Sequence, residues 1–325
     1  MDTDRLYGPL NLDLPILRDL LASRAMQRLQ GVLQHGITAL IGITHPVSRL
    51  EHSLGVMHLV QRFGAGPEEQ IAALLHDVSH TAFSHVIDYV FNDHQNQGYH
   101  ERMKAVYIEN SDLPEVLSRH GYDWRDFLHE EPFTLLEQPA PALCADRLDY
   151  FLRDSLDLGL ANFDEIHVAL DSLRVHQGRL VCADLQSARW MADTYLAADQ
   201  ASWANFREVG LYELTAQALR LALQRGLIDQ SDLWSTDVQV WEKLHACSDP
   251  DLAALLALVS PATRFVWDEA NPDLRVATKL RTLDPHVLAN GRFASFSELD
   301  PAYARRRAAY LQRYSGSWPM RVIKG

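Results

Sequence analysis

The chain is poor in cysteine: 325 residues carry only 3, Cys144, Cys182 and Cys247. An odd and widely spaced set excludes a disulfide framework and favours a reducing compartment. No pair has zinc-site spacing, and Cys144 reads as a small core residue. Long apolar runs are lacking as well. The longest, LAALLALV from Leu252, is too short to span a bilayer. The opening residues MDTDRLYGPL are acidic and hold no apolar signal region, so the expectation is a cytoplasmic chain with no membrane partner. There is no basic excess either. Lys and Arg number 30 against 43 Asp and Glu, a net charge of −13. That balance argues against nucleic acid as a partner, while a local basic pocket for a small anion stays compatible with it. No internal repeat or low-complexity tract interrupts the sequence.

What is present is apolar residues, 47% of the chain, mostly at helical spacing. The expected fold is mainly α with a small mixed α/β C-terminal lobe. Residues 1–170 read as the core, 171–272 as a helical extension packed on it, and 273–325 as the small lobe. Helices are expected over 14–34, 49–63 (capped by Ser48, with Glu51 three residues on), 67–77, 83–91, 139–162 and 185–228. Two more should start at Ser231 and Asp249. Residues 37–44 read as a strand or a buried loop. A hairpin is expected at 174–182, turning at Gln177-Gly178. Strands are expected near 273–287 and 320–323.

Histidine is concentrated between 49 and 101. The apolar run IAALL leads directly into His76-Asp77, with His52 upstream and His80, His85 and Asp88 downstream. Any one such histidine is more often an ordinary core or surface residue. Together they form a narrower pattern, because burying imidazoles and carboxylates is costly unless they pair or bind metal. Adjacent helical residues point about 100° apart, so His76 and Asp77 reach one ion only if it lies between them or the helix ends there. Further on, Asp146, Tyr150 and Asp154 fall on one face of a helix, flanked by Arg147 and Arg153. Alone, that stretch is a salt-laced amphipathic helix.

The blocks SRLEHSLGV, LLHDVSHTAFSHVID and DRLDYFLRD, in that order, resemble the HD-domain metal-dependent phosphohydrolases. The likeness is greatest to the branch of the SAM-and-HD-domain deoxynucleoside triphosphate triphosphohydrolases and their bacterial relatives. It runs from about Tyr7-Gly8 to residue 160 and thins afterwards, although KLRTLDP also looks like a late family block. The resemblance implies an HD-domain helical core and four metal ligands: His52, His76, Asp77 and Asp146. It implies Arg49 and Arg147 at phosphate, Tyr150 packing on a sugar, Asp154 at a sugar hydroxyl, and Gln34 with His35 at base and sugar. Tyr99-His100-Glu101 matches a block whose histidine lines the site. Near 205–213 the chain departs from the pattern, placing Gly210 and Glu213 where relatives have a Tyr and a Lys near the outer phosphates.

Two imidazoles and two carboxylates suit a divalent transition metal: Mn, Fe, Co or Ni. His80, His85 and His100 exceed what one ion needs, so a second ion, Mg among the candidates, is open. The expected chemistry is attack of metal-activated water on phosphorus, with His80, His85, Asp88 and His100 as the catalytic set. The first expectation for substrate is a nucleotide, cleaved in the manner of a dNTP triphosphohydrolase. The alternatives are a nucleotidase or phosphodiesterase acting on another small phosphoester, and, in a different class, a regulatory protein that binds nucleotide without turnover. Relatives commonly assemble, which makes a homo-oligomer a candidate state.

Overall fold

The structure, a computed structural model, describes residues 3–289 and 291–324. Among the described residues it is mainly α with three small sheets, one an N-terminal pair, Thr3–Asp4 and Gly8–Pro9, and the other two completed by C-terminal strands. The organising element is the helix Arg49–Arg62. It begins where Ser48 Oγ accepts the Glu51 N–H at 3.1 Å, leaving the first turn capped. The helix is buried along nearly its whole length and packs against Pro67–Leu75 and Ala145–Asp157. Gly55 makes the second contact feasible: a Cβ there would stand 2.0 Å from Asp149 Oδ1 and 2.2 Å from Arg153 Nη2. This close approach brings Asp146 and Asp149 to the same side as His52.

Two apolar cores flank this assembly. One gathers Leu17, Met57, Leu74 and Phe151 around the Arg49 helix. The other gathers Phe83, Leu214, Leu219 and Trp318 around the long helix Phe206–Gln224. Strands Leu173–His176 and Arg179–Cys182 form the expected hairpin, with Gln177 and Gly178 both at positive φ. Arg179–Cys182 runs parallel to His286–Ala289, which pairs in turn with Arg292–Ser295. A second sheet sets Trp318–Ile323 between Arg264–Trp267 and Leu274–Val276. Residues 277–285 therefore link one sheet to the other, and Thr278 to Thr282 of that link run along the mouth of the main cavity. Among the described residues, no helix is long and apolar enough to cross a membrane.

Several elements differ from the sequence expectations. The stretch 14–34 breaks at Ser23, which is extended (φ −66°, ψ 151°) and caps the next helix through a bond from Met26 N–H. Residues Ile37–Leu40 form a helical turn rather than a strand. The stretch 185–228 is interrupted by a π-helical turn at Asp199–Trp203 and restarts at the Asn205 cap. Ser231 opens only a 3-10 turn, and the next helix starts from a capping box at Thr236. Helix Val86–Val90 starts later than expected because Phe83 and Ser84 sit at φ +60° and +50°.

That left-handed turn is held from below by Asp237, a fully buried residue. Its Oδ1 accepts the Phe83 N–H at 2.7 Å and its Oδ2 the Leu33 N–H at 3.0 Å. Burial lifts its carboxyl to about 7 against the pull of these two bonds. Asp237→Asn cannot accept both, since one oxygen becomes an NH2 donor facing an N–H. At pH 8 we expect a loss of about 1–3 kcal/mol in denaturant unfolding, the cost of an orphaned buried donor. An unchanged midpoint would show that the turn stands without this anchor.

Candidate metal centre and active site

Helix Pro67–Leu75 ends as the chain reaches His76, which itself keeps helical dihedrals, φ −56° and ψ −40°. His52 comes from the first turn of Arg49–Arg62 and Asp146 from the first turn of Ala145–Asp157. The three elements deliver the side chains to one point. His52 Nε2 lies 3.0 Å from Asp146 Oδ1 and 3.2 Å from His76 Nε2, and His76 Nε2 lies 3.6 Å from Asp146 Oδ1. Asp77 joins them, its Oδ1 3.5 Å from His76 Nε2 and its Oδ2 3.7 Å from His52 Nε2.

These residues fit a metal ion. The Nδ1 of His76 faces the Ala73 carbonyl oxygen at 2.8 Å, which can only accept, so this nitrogen carries the hydrogen and Nε2 presents its lone pair. His52 Nδ1 faces Asp149 Oδ2 at 2.7 Å in the same way. The two Nε2 atoms approach to 3.2 Å, so one proton or one cation must sit between their lone pairs. Ligands at right angles around an ion, each about 2.1 Å from it, stand about 3.0 Å apart, close to the 3.0 and 3.2 Å found around His52 Nε2. The carboxylate and carbonyl behind the imidazoles are the outer partners that fix ring orientation in metal sites.

Charge is balanced tightly here. Burial disfavours the imidazolium of His52, but Asp146 and Asp149 outweigh it and lift the group to about 10. Burial likewise opposes the charged form of Asp77, yet Arg49, then His76 and His80, hold it well below the usual carboxylate range. Arg49 Nη1 donates to Asp77 Oδ2 at 2.7 Å and its Nε to Ser84 Oγ at 3.0 Å.

Beside this cluster stand the other histidines. His80 Nε2 lies 3.2 Å from Asp77 Oδ1, and its ring stacks on His100 with centroids 3.9 Å apart. His85 crosses His80 edge-on at 5.1 Å and its Nδ1 meets Asp88 Oδ2 at 3.0 Å. Burial, then Arg49, drives His80 down to about 3, and the same causes depress His85. His100 is depressed by burial and by its histidine neighbours. Asp77, His80 and His100 are also close enough together to share an ion.

All of these except Asp88 line one cavity of ≈ 490 Å³, which Gln34, Arg49, Arg147, Tyr150 and Asp154 also line. At the end near Asp154, His35 bridges Asp154 at 3.0 Å and Glu208 at 3.3 Å, and Trp203 Nε1 donates to Asp154 Oδ2 at 2.6 Å. Gln34 Oε1 is buried there with no hydrogen-bond partner among the described residues. Tyr150, Tyr195 and Trp203 form an aromatic wall, with the two tyrosine hydroxyls bonded to each other. Arg147 has both Nη atoms engaged, on Glu137 Oε1 at 3.2 Å and on the Ala142 carbonyl. His94 lies away from the cavity lining and pairs with Glu213 at 3.7 Å.

The sequence reading does not single out Asp149, Tyr195, Trp203, Glu208, Lys279, Arg281 or Arg307. Asp149 carried a usable signal, standing three residues after Asp146 on the same helix. Lys279 and Arg281 lie within KLRTLDP, but nothing in their spacing ties a late link segment to a metal site more than 100 residues upstream.

Comparison with known proteins bears on the family and the fold. The HD domain family matches residues 49–154. The uncharacterized protein YdhJ of Bacillus subtilis is 36% identical over 323 residues, covering 99% of both chains. The metal-dependent phosphohydrolase cns2 of Cordyceps militaris is 36% identical over 317 residues, covering 95% of this chain and 91% of the relative. Two solved structures share the fold. A hypothetical protein from Aquifex aeolicus has a TM-score of 0.69 at 21% identity, covering 99% of this chain and 95% of its own. A phosphohydrolase from Bacteroides thetaiotaomicron has a TM-score of 0.64 at 18% identity, covering 92% and 94%. With two relatives alike along almost their whole length and the HD domain spanning the His52, His76, Asp77 and Asp146 cluster, this chain belongs to the HD-domain metal-dependent phosphohydrolases.

Proposed function

We propose that the substrate is a nucleotide, cleaved between the sugar oxygen and phosphorus as a dNTP triphosphohydrolase does, and that the reaction takes place at the His52, His76, Asp77 and Asp146 cluster. The observation that carries this reading is that one cavity holds three unlike surfaces side by side. The ligand cluster and Arg49 suit a phosphoryl group. The Tyr150, Tyr195 and Trp203 wall suits a flat or ring-shaped moiety. The polar end with Gln34, His35 and Asp154 suits hydroxyls and base-edge groups. A cavity of ≈ 490 Å³ is of nucleotide size.

The four ligands would hold a divalent transition ion. When bound, such an ion lowers the pKa of a water and offsets charge on phosphoryl oxygens. The chain's own residues do the rest. Arg49 keeps Nη2 free of hydrogen bonds among the described residues, and this donor is placed to meet a phosphoryl oxygen. Arg147 adds positive charge from the cavity wall. Tyr150 packs on the sugar, while Asp154, fixed by His35 and Trp203, accepts from a sugar hydroxyl. Neutral His85 passes a proton from the attacking water to the leaving sugar oxygen: its Nδ1–H donates to Asp88, so its Nε2 lone pair takes the proton up and then gives it to that oxygen, with His80 and His100 packed against the ring.

His85→Ala is expected to lower kcat by roughly 10²-fold or more, the usual size of general acid–base help, while metal content persists. Unchanged turnover would remove His85 from the mechanism. Burial raises Asp88 to about 6, against the Tyr99 N–H that it accepts. Below that pH the carboxyl takes up a proton and stops accepting from His85. An acid limb near pH 6 is therefore expected in kcat, and it should vanish in Asp88→Asn.

The test of the reading as a whole is a panel of dNTPs, nucleoside monophosphates and a chromogenic phosphodiester, each with Mn, Co, Ni and Mg. Release of nucleoside from a nucleotide supports it. Cleavage confined to the chromogenic ester would point to another phosphoester. Binding without product under every metal would point to a regulatory protein.

A further inference from the structure

The cations that line the cavity fall into two groups. Arg49 sits on Asp77 at 2.7 Å and Arg147 on Glu137 at 3.2 Å, so the cations of the inner wall already have carboxylate partners. Lys279, Arg281 and Arg307 also line the cavity. Among the described residues, none of these three has a carboxylate oxygen within the 4.0 Å of an ion pair. Arg281 spends its guanidinium on neutral acceptors, the Lys279 carbonyl at 3.3 Å and the Gln97 side-chain oxygen. Its backbone N–H goes to Asp199 Oδ2 at 2.9 Å, which fixes the link segment over the cavity. Arg307 Nε donates to Thr282 Oγ1 at 2.8 Å.

Three cations without a carboxylate in contact leave charge facing the cavity that an anion can meet, although Asp199 lies near enough to favour the charged Arg281 against burial. Partial burial, then Arg281 and Arg147, depresses the Lys279 ammonium, and Glu101 opposes them. An arriving anion offsets that repulsion. The positions that would serve outer phosphates in the resembled triphosphohydrolases do not face the cavity here. A Cβ on Gly210 would meet the Phe265 ring at 2.4 Å, and Glu213 pairs with Arg220 at 2.6 Å.

We propose that Lys279, Arg281 and Arg307 form a second anion subsite that binds a phosphate group of the substrate other than the one at the metal cluster. This rests on the nucleotide phosphohydrolase reading and narrows it to nucleotides carrying at least two phosphate groups. The second phosphate can come from a 5′-polyphosphate or from a 3′,5′-bisphosphate, and the chemistry that recognises it is the same. The C-terminal link, rather than the long helix Phe206–Gln224, supplies the recognition.

Two measurements test it. The first is calorimetric binding of pyrophosphate to the metal-free protein, for wild type, Lys279→Ala, Arg281→Gln and the conservative Arg281→Lys. Charge-assisted bonds of this kind lead us to expect about a 10-fold or greater loss in the first two variants and partial retention in the third. Melting without ligand verifies that each variant is folded. Pyrophosphate affinity unchanged in folded Lys279→Ala and Arg281→Gln would overturn the subsite. The second is kcat/KM for dAMP, dATP and deoxyadenosine 3′,5′-bisphosphate. The ratio of a two-phosphate substrate to dAMP should fall at least about 10-fold in Arg281→Gln, mainly through KM, and the substrate losing more shows where the second phosphate lies. An equal loss on all three would mean that these cations serve the phosphate at the metal, and would overturn the proposal. If wild type turns over no nucleotide yet binds pyrophosphate through these residues, the subsite stands and the nucleotide reading fails.

Discussion

Asp146→Ala should lower turnover by about 10³-fold or more and cut metal content at the same time. The carboxylate closes the ligand set opposite two imidazoles, 3.0 Å from His52 Nε2 and 3.6 Å from His76 Nε2. Its loss leaves the two imidazole Nε2 atoms, 3.2 Å apart, with one negative charge fewer to bind a cation. A bound ion is worth several kcal/mol of transition-state stabilisation, and each 1.4 kcal/mol is a factor of ten. Metal analysis of the purified variant separates this from a folding defect, because Asp146 is partly exposed and its removal opens no core cavity. The contrasting variant is Asp154→Asn, at the far end of the same cavity. It should keep its metal and raise KM, since Asp154 touches His35 and Trp203 and none of the ligands. Full metal content together with near-normal turnover in Asp146→Ala would take Asp146 out of the centre.

Much of this was legible in the sequence, for reasons particular to each residue. His52 and Asp146 lie on helices whose periodicity and caps are local properties, so their facing directions follow from the chain itself. Ser48 caps as its spacing to Glu51 indicates. The helix that delivers His76-Asp77 was expected over 67–77 and ends at Leu75, just before the pair. The long helices 14–34 and 185–228 were less legible. Ser23 and the Asp199–Trp203 turn interrupt apolar patterns that continue on both sides, so periodicity does not register the break. The π-helical turn is where the cavity needs it, since it carries Trp203 to Asp154 and Asp199 to the Arg281 backbone. Lys279, Arg281 and Arg307 were illegible because their position depends on two sheets formed between distant segments. Register between strands such as Arg179–Cys182 and His286–Ala289 is a long-range fact that no window of sequence contains.

The residue expected to matter most for stability is one that no substrate touches. Arg153 is fully buried and makes three ion pairs: Nε to Asp149 Oδ2 at 2.8 Å, Nη1 to Glu51 Oε1 at 2.8 Å and Nη2 to Asp4 Oδ2 at 2.5 Å. Arg153→Met keeps most of the volume and takes the guanidinium from buried Asp4 and Asp149, while Glu51 keeps Arg5 at 3.2 Å; the loss should cost about 3–5 kcal/mol in denaturant unfolding. The effect reaches the metal centre, because Asp149 also orients His52 Nδ1. Loss of an outer partner of this kind weakens metal binding about 10–100-fold. The pH dependence identifies the cause. Burial tends to raise the Asp149 carboxyl, but Arg153, then His52, hold it below its usual range in the native protein. A depressed carboxyl contributes stability above its unfolded pKa, and that contribution fades as pH falls through the folded value. Without Arg153 the largest of these pulls is gone and the folded pKa rises toward the unfolded one, so the variant has less of this stability to lose in acid. The stability gap between wild type and Arg153→Met should therefore narrow from pH 7.5 toward pH 4. A gap that stays constant over that range would mean that the lost contribution was packing by the arginine stem, and that Asp149 holds His52 without help from the cation behind it.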